Sequence, residues 1–269
     1  MTENTLHFSA SPIGVFDAGI GSYAILERLR KKYPKQDFIY LADRRSFPYG
    51  EKSYQELLDA TLSASQYLIS QGCCSLVLAS NAPSIVVMDA LKEKLTVPIF
   101  GIEPPIAKAC SLSQSKHIAV LGVNSMVSSH EFSSFIKKST FEGCTVYGIN
   151  ASSLVELVEN FSFIRHKERT QNIVSAFIDR SLQQFPNLDV MTLSSTHLPW
   201  LKPFFNHAAP QITFLDPADE LVLKVEPLIS QGTGSVRCIA TDNHHYPLCE
   251  FNEALRSLNT GLVADSVAI

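Results

Sequence analysis

Short apolar runs alternate with segments of helical period along most of the chain. Ile13-Gly14-Val15-Phe16 runs into Asp17-Ala18-Gly19-Ile20-Gly21. Ser22 to Lys32 then carries Ile25, Leu26 and Leu29 on one face, with Glu27, Arg28, Arg30 and Lys31 elsewhere. That is the period of an amphipathic helix. Phe38-Ile39-Tyr40-Leu41 reads as a strand and Phe47-Pro48-Tyr49-Gly50 as a loop. Ser53 to Ile69 reads as a helix, with Ser53 and Glu56 at the spacing of a capping box. Leu76-Val77-Leu78-Ala79 is a buried strand, Ser84 to Leu95 a helix and Val97-Pro98-Ile99-Phe100 a short strand.

A second series has the same rhythm. Strands are predicted at Ile118 to Gly122, Val146 to Ile149 and Val190 to Leu193, and helices over Ser128–Lys138, Ser152–Phe161 and Lys167–Phe185. Ile212 to Leu215 and Val236 to Ala240 supply late strands. Alternating strands and helices predict an α/β protein with mostly parallel sheets covered on both faces. The two series predict two similar α/β domains with a cleft between them. The first is expected over residues 10–98 plus 209–269, and the second over 99–208.

Composition narrows the function classes. The 269 residues are 45% hydrophobic and carry a net charge of −4, with no basic block longer than Arg30-Lys31-Lys32, so direct nucleic-acid binding is not expected. No apolar run reaches the roughly 18 residues of a membrane span. Met1 to Ser11 lacks the pattern of a signal peptide, which points to the cytoplasm. The six cysteines form no CxxC pair and stand at no zinc-ligand spacing, and they read as inert thiols. His244-His245 has no accompanying acidic or thiol cluster at ligand spacing and reads as surface. No metal site is therefore expected. Gly19-Ile20-Gly21 lacks the order of a dinucleotide-binding glycine motif.

In parallel sheets, ligands lie beyond the carboxyl ends of the strands. Three strand ends carry small polar residues: Asp17-Ala18-Gly19, Ser80-Asn81-Ala82 and Ser195-Thr196-His197. Together with Phe47 to Ser53, Val97 to Pro104, Val155-Glu156-Leu157-Val158-Glu159 and Thr196 to Pro199, these blocks resemble the cofactor-independent glutamate racemases from about residue 12 to about residue 220. The resemblance implies two α/β domains with the site between them. It also implies no cofactor, a small amino acid (glutamate or similar) as ligand, and a place in peptidoglycan precursor supply, with a homodimer allowed for. In that family one thiolate removes the α-proton and a thiol on the other face returns one, from a Cys-Asn-Thr and a Cys-Thr-His motif.

Serine stands at both of those cysteine positions here, Ser80 and Ser195. Ala18 and Ala82 replace family hydroxyls that hold the substrate, and Ser125-Met126 stands where the family has Gly-Thr. A double Cys→Ser replacement would account for the two serines but not for Ala18, Ala82 or Met126, which favours natural divergence. By resemblance the catalytic positions are Ser80, Ser195, Asp17, His197 and Glu156. The substrate-binding positions are Ala18, Pro48, Tyr49, Gly50, Asn81, Ala82 and Thr196. Structural roles stay open beside these: turn bonding for Asp17, a satisfied core histidine for His197, an exposed helical carboxylate for Glu156, caps for Asn81 and Thr196, packing for Tyr49. Three functions remain: a weak or inactive racemase, a former racemase that binds an amino acid or a protein such as DNA gyrase, and a serine-dependent enzyme on the same fold.

Overall fold

The computed structural model describes residues 11–269, so the stretch Met1 to Ser11 considered above lies, but for Ser11, outside the described residues. Its strands are β1 (Ile13–Asp17), β2 (Phe38–Asp43), β3 (Ser75–Leu78), β4 (Ile99–Gly101), β5 (His117–Gly122), β6 (Thr145–Asn150), β7 (Val190–Leu193), β8 (Thr213–Leu215), β9 (Val236–Thr241) and β10 (Asp265–Ser266). They form a six-stranded sheet, β10-β9-β2-β1-β3-β4, and a four-stranded sheet, β6-β5-β7-β8. Every pairing is parallel. The fold is thus α/β with two parallel sheets, as the alternating pattern predicts.

The inner strands explain the pattern. Every residue of β1, β2, β3 and β7 is buried, so these strands read as continuous apolar runs rather than alternating ones. β4 pairs with β3 and so joins the first sheet. β8 pairs with β7 and so joins the second. Both short strands are legible as apolar runs, at Val97 to Phe100 and Ile212 to Leu215, whereas the sheet that each joins is set by its pairing.

Helices begin and end for identifiable reasons. The helix Tyr54–Ser70 opens on the predicted capping box, with Ser53 N donating to Glu56 Oε2 (2.9 Å) and Glu56 N to Ser53 Oγ (3.4 Å). The single helix expected from Ser84 is instead two, Asn81–Val86 and Met88–Lys94. Ile85-Val86-Val87 is a β-branched run with poor helix propensity, and Val87 leaves helical geometry at φ −122°, ψ 4°. The first of the two starts directly after β3, because Pro83 is tolerated in a first turn.

Each sheet reverses its strand order about its first strand, between β1 and β3 in one and between β5 and β7 in the other. These are switch points, where crevices open at the carboxyl ends of strands. Asp17 ends β1 and Ser80 follows β3, whereas Val123 and Ser194-Ser195 follow β5 and β7. All of them line one cavity, so the two switch points share a single cleft.

Candidate active site

The cleft is a cavity of about 460 Å³, lined from the first sheet by Asp17, Ala18, Gly19, Ser80, Asn81 and Ala82, and from the second by Val123 and Ser194 to His197. Pro48, Tyr49, Gly50 and Glu51 close one side, and the helix Ser152–Glu159 contributes Val155, Glu156 and Glu159. Every site residue named from sequence therefore lines the same space.

Ser80 occupies the N-cap position of the helix Asn81–Val86, yet its hydroxyl makes no cap bond. It stands close enough to the carboxylate of Asp17 to help hold that carboxyl down. Thr196 Oγ1 donates to Asp17 Oδ2 at 3.2 Å, so this bond crosses from one sheet's loops to the other's. Burial pushes the Asp17 carboxyl up to about 6, against the lowering effects of His197, the Ala18 amide, Ser80 and Thr196. Asp17 is thus a buried carboxylate of one half of the cleft that accepts from a hydroxyl of the other. Asn81 donates through Nδ2 to Ile102 O at 3.3 Å, so neither Asn81 nor Thr196 spends its side chain on a helix cap. Tyr49 is buried, with its hydroxyl on Asp43 Oδ2 (3.1 Å), and Asp43 in turn accepts from Thr241 (2.8 Å).

His197 is engaged elsewhere than at Ser195. Its Nε2 meets Glu159 Oε1 at 2.6 Å. Glu159 also accepts from Ile20 N (2.9 Å) and from Arg44 Nη1 (3.0 Å). Burial opposes the charge on Glu159, but His197, Arg44 and the Ile20 amide together hold its carboxyl down at about 2. Glu156 lines the cavity from the exposed side of the same helix, and its side chain takes part in no hydrogen bond or ion pair among the described residues. The carboxylate that partners His197 is thus Glu159, one helical turn beyond Glu156.

Three features carry little signal in the sequence. Arg44 is buried at the end of β2, donates to Ala18 O (3.1 Å), and lies against the rings of Phe47, Tyr246 and Phe251 at 4.8, 5.2 and 5.7 Å. Phe47 and Tyr246 meet edge to face at 4.9 Å on the cavity wall. Gly19 and Gly21 explain the glycines after β1. A Cβ at Gly19 would stand 2.6 Å from Glu159 Oε1, and one at Gly21 would stand 2.8 Å from the backbone of Thr196 and His197. These glycines let the two halves close on each other, a packing role in place of a phosphate-binding one. None of the six cysteines lines the cavity, and burial pushes Cys73 and Cys238 up to about 12.

A family model for Asp/Glu/hydantoin racemases matches residues 21–225. The chain belongs to that family. It is 30% identical over 245 residues to a glutamate racemase of Ralstonia pickettii, covering 88% of this chain and 85% of that one. To a glutamate racemase of Shewanella oneidensis it is 33% identical over 227 residues, covering 83% and 81%. Among solved structures, a glutamate racemase isoform from Bacillus anthracis matches with a TM-score of 0.83 at 20% identity, covering 96% of this chain and 98% of that one. The Escherichia coli glutamate racemase, solved with L-glutamate and an activator, matches at 0.82 and 21%, with the same coverage. The chain is thus glutamate racemase-like in sequence over most of its length, and its fold is theirs.

Proposed function

We propose that this cleft receives a small α-amino acid, as in the glutamate racemases, and that it transfers the α-proton very slowly or not at all. The observation that carries this reading is that hydroxyls, Ser80 and Ser195, line the cavity at the two strand ends where the resemblance places thiols. A thiol with an ordinary pKa of about 8.5 is partly thiolate at neutral pH, and neighbours lower it further. A serine hydroxyl holds no such anion unless a base takes its proton.

The remaining acid–base groups do not restore a base on each face. Asp17 accepts a hydrogen bond from Thr196, and as a carboxylate near 6 it is a weak base towards carbon. His197 Nε2 is bound to Glu159. No described hydrogen bond joins His197 to Ser195, so a nucleophilic Ser195 activated by His197 has no geometric support. Ala18 and Ala82 supply no hydroxyl to the ligand, and loss of one such partner typically costs about 1–3 kcal/mol.

The test is to rebuild the thiols. Ser80→Cys with Ser195→Cys is expected to raise exchange of the α-proton with solvent deuterium, and Ala18→Ser with Ala82→Thr to raise it further. A single cysteine is expected to give exchange from one face with little racemization. A double-cysteine variant as inert as the unmodified chain would count against the assignment of these two positions.

A further inference from the structure

The strands at the four sheet edges differ in length. β4 and β8 have three residues each and β10 has two, whereas β6 has six. A very short edge strand offers another chain little to pair with, and longer ones are shielded by lysine, proline or a bulge. β6 reads Thr145-Val146-Tyr147-Gly148-Ile149-Asn150, with no charge and no proline, and its register with β5 runs without a bulge. Its β-branched residues and tyrosine suit a strand.

The direction of its backbone groups follows from its two ends. Thr145 N donates to Lys116 O at 2.7 Å, and Ala151 N donates to Gly122 O at 2.8 Å. Both bonds have the same sequence offset, so Thr145, Tyr147, Ile149 and Ala151 turn their amides towards β5. The amides and carbonyls of Val146, Gly148 and Asn150 therefore point away from the sheet. None of them has a hydrogen-bond partner among the described residues. Gly148 and Asn150 are exposed and Val146 is half-buried, so the chain leaves this edge open.

These groups are complementary to themselves. With a second copy antiparallel about a two-fold axis at Gly148, each Gly148 exchanges both of its bonds with the other Gly148. Val146 does the same with Asn150 of the second copy, so every outward amide and carbonyl is satisfied. The same register sets Tyr147 opposite Ile149 of the second copy, a favourable aromatic and β-branched pair. Tyr147 is already ordered for it, with its ring 4.2 Å from that of Phe185 and its hydroxyl 3.0 Å from His117 Nδ1. No like charges oppose one another, because the strand carries none.

We propose that β6 is a homodimer interface, through which two copies join their four-stranded sheets edge to edge into one continuous sheet. One strand from each copy makes a small interface, so the dimer is weak and concentration-dependent, with a Kd on the order of 10–100 μM.

Sedimentation velocity of the full chain over roughly 1–300 μM tests the proposal. A passage from monomer to dimer is expected within that range. In the Thr145→Lys/Asn150→Lys variant, which places lysines at two exposed positions of the edge, the Kd is expected to rise at least about tenfold. A melting curve checks that the variant folds. Residue-resolved hydrogen exchange of the unmodified chain reads the register. The amides of Val146, Gly148 and Asn150 should slow as concentration rises, whereas those of Tyr147 and Ile149, already bonded to β5, should not change. A monomer at every concentration would overturn the proposal. So would a dimer that leaves those three amides exchanging freely, or one as tight in the lysine variant as in the unmodified chain.

Discussion

Asp17 and Glu159 sit in one cleft, yet burial and partners drive their acidities in opposite directions. Asp17 is raised to about 6, so the folded state holds a proton that the unfolded chain releases near its ordinary value of 3.8. Its contribution to stability is therefore fully present below about 3.8 and is lost as pH rises through about 6. The ionised carboxylate costs roughly 3 kcal/mol at neutral pH. Asp17→Asn is expected to raise the melting temperature at pH 8, and to leave it nearly unchanged at pH 4, in thermal unfolding followed by circular dichroism. Glu159 is lowered to about 2, so its contribution is present above its ordinary 4.5 and is lost as pH falls through about 2. Glu159→Gln leaves the buried Arg44 guanidinium without its counter-charge and is expected to destabilise the fold at neutral pH by about 3 kcal/mol in urea denaturation. The serines, Asp17, Asn81 and Thr196 were legible because each directly follows an apolar strand. Glu159 was harder to single out, since Glu156 and Glu159 stand one turn apart and periodicity puts both on neighbouring parts of one helix face. Only the reach to His197 separates them. Arg44 gave no warning, as its neutralisation depends on a helix more than a hundred residues away.

At the scale of elements, local chemistry was readable and close approach between elements was not. The capping box at Ser53 and Glu56 depends on four consecutive residues, so sequence and structure agree on it. The break at Val87 follows from β-branched residues whose cost shows only once Ser84 Oγ is seen bonded to Ser80 O (2.6 Å) and accepting from Ile102 N (3.0 Å). The helices Ile106–Leu112, Lys202–Ala208 and Ala218–Lys224 span seven residues each, too short to establish a period. The turn Ile20–Ser22 after β1 shows how an element can be fixed from outside, since its amide at Ile20 bonds to Glu159 and its Gly21 faces the backbone of Thr196 and His197. Gly21→Ala forces a Cβ against backbone that cannot rotate away. It is expected to cost about 1–3 kcal/mol in chemical denaturation and to weaken amino-acid binding, because Thr196 must shift off Asp17. Gly72→Ala serves as the control. Nothing stands within 4 Å of its Cβ, so only the strain of its positive φ of 90° is felt and binding should be unaffected.

At the scale of the whole molecule, polar contacts around the cleft join the two sheets alongside an apolar core that both share. Thr196 reaches Asp17, Arg44 reaches Glu159, and Trp200 Nε1 donates to Gly21 O at 3.1 Å. Arg28 pairs with Asp216 at 2.5 Å and with Asp219 on the far side. These contacts bring both switch points to one cavity, which is the frame a two-faced proton transfer would need. The frame is present, but at the two strand ends in question it presents hydroxyls. The most direct measurement is the rate of α-deuterium incorporation and of the change in circular dichroism when D-glutamate is incubated with the unmodified chain in deuterium oxide. The expected result is negligible exchange and racemization, with exchange appearing once Ser80→Cys and Ser195→Cys are combined. Turnover by the unmodified chain at ordinary enzyme rates, roughly 1–10³ per second, would contradict the account and require another base, with Asp17 and His197 the first to replace.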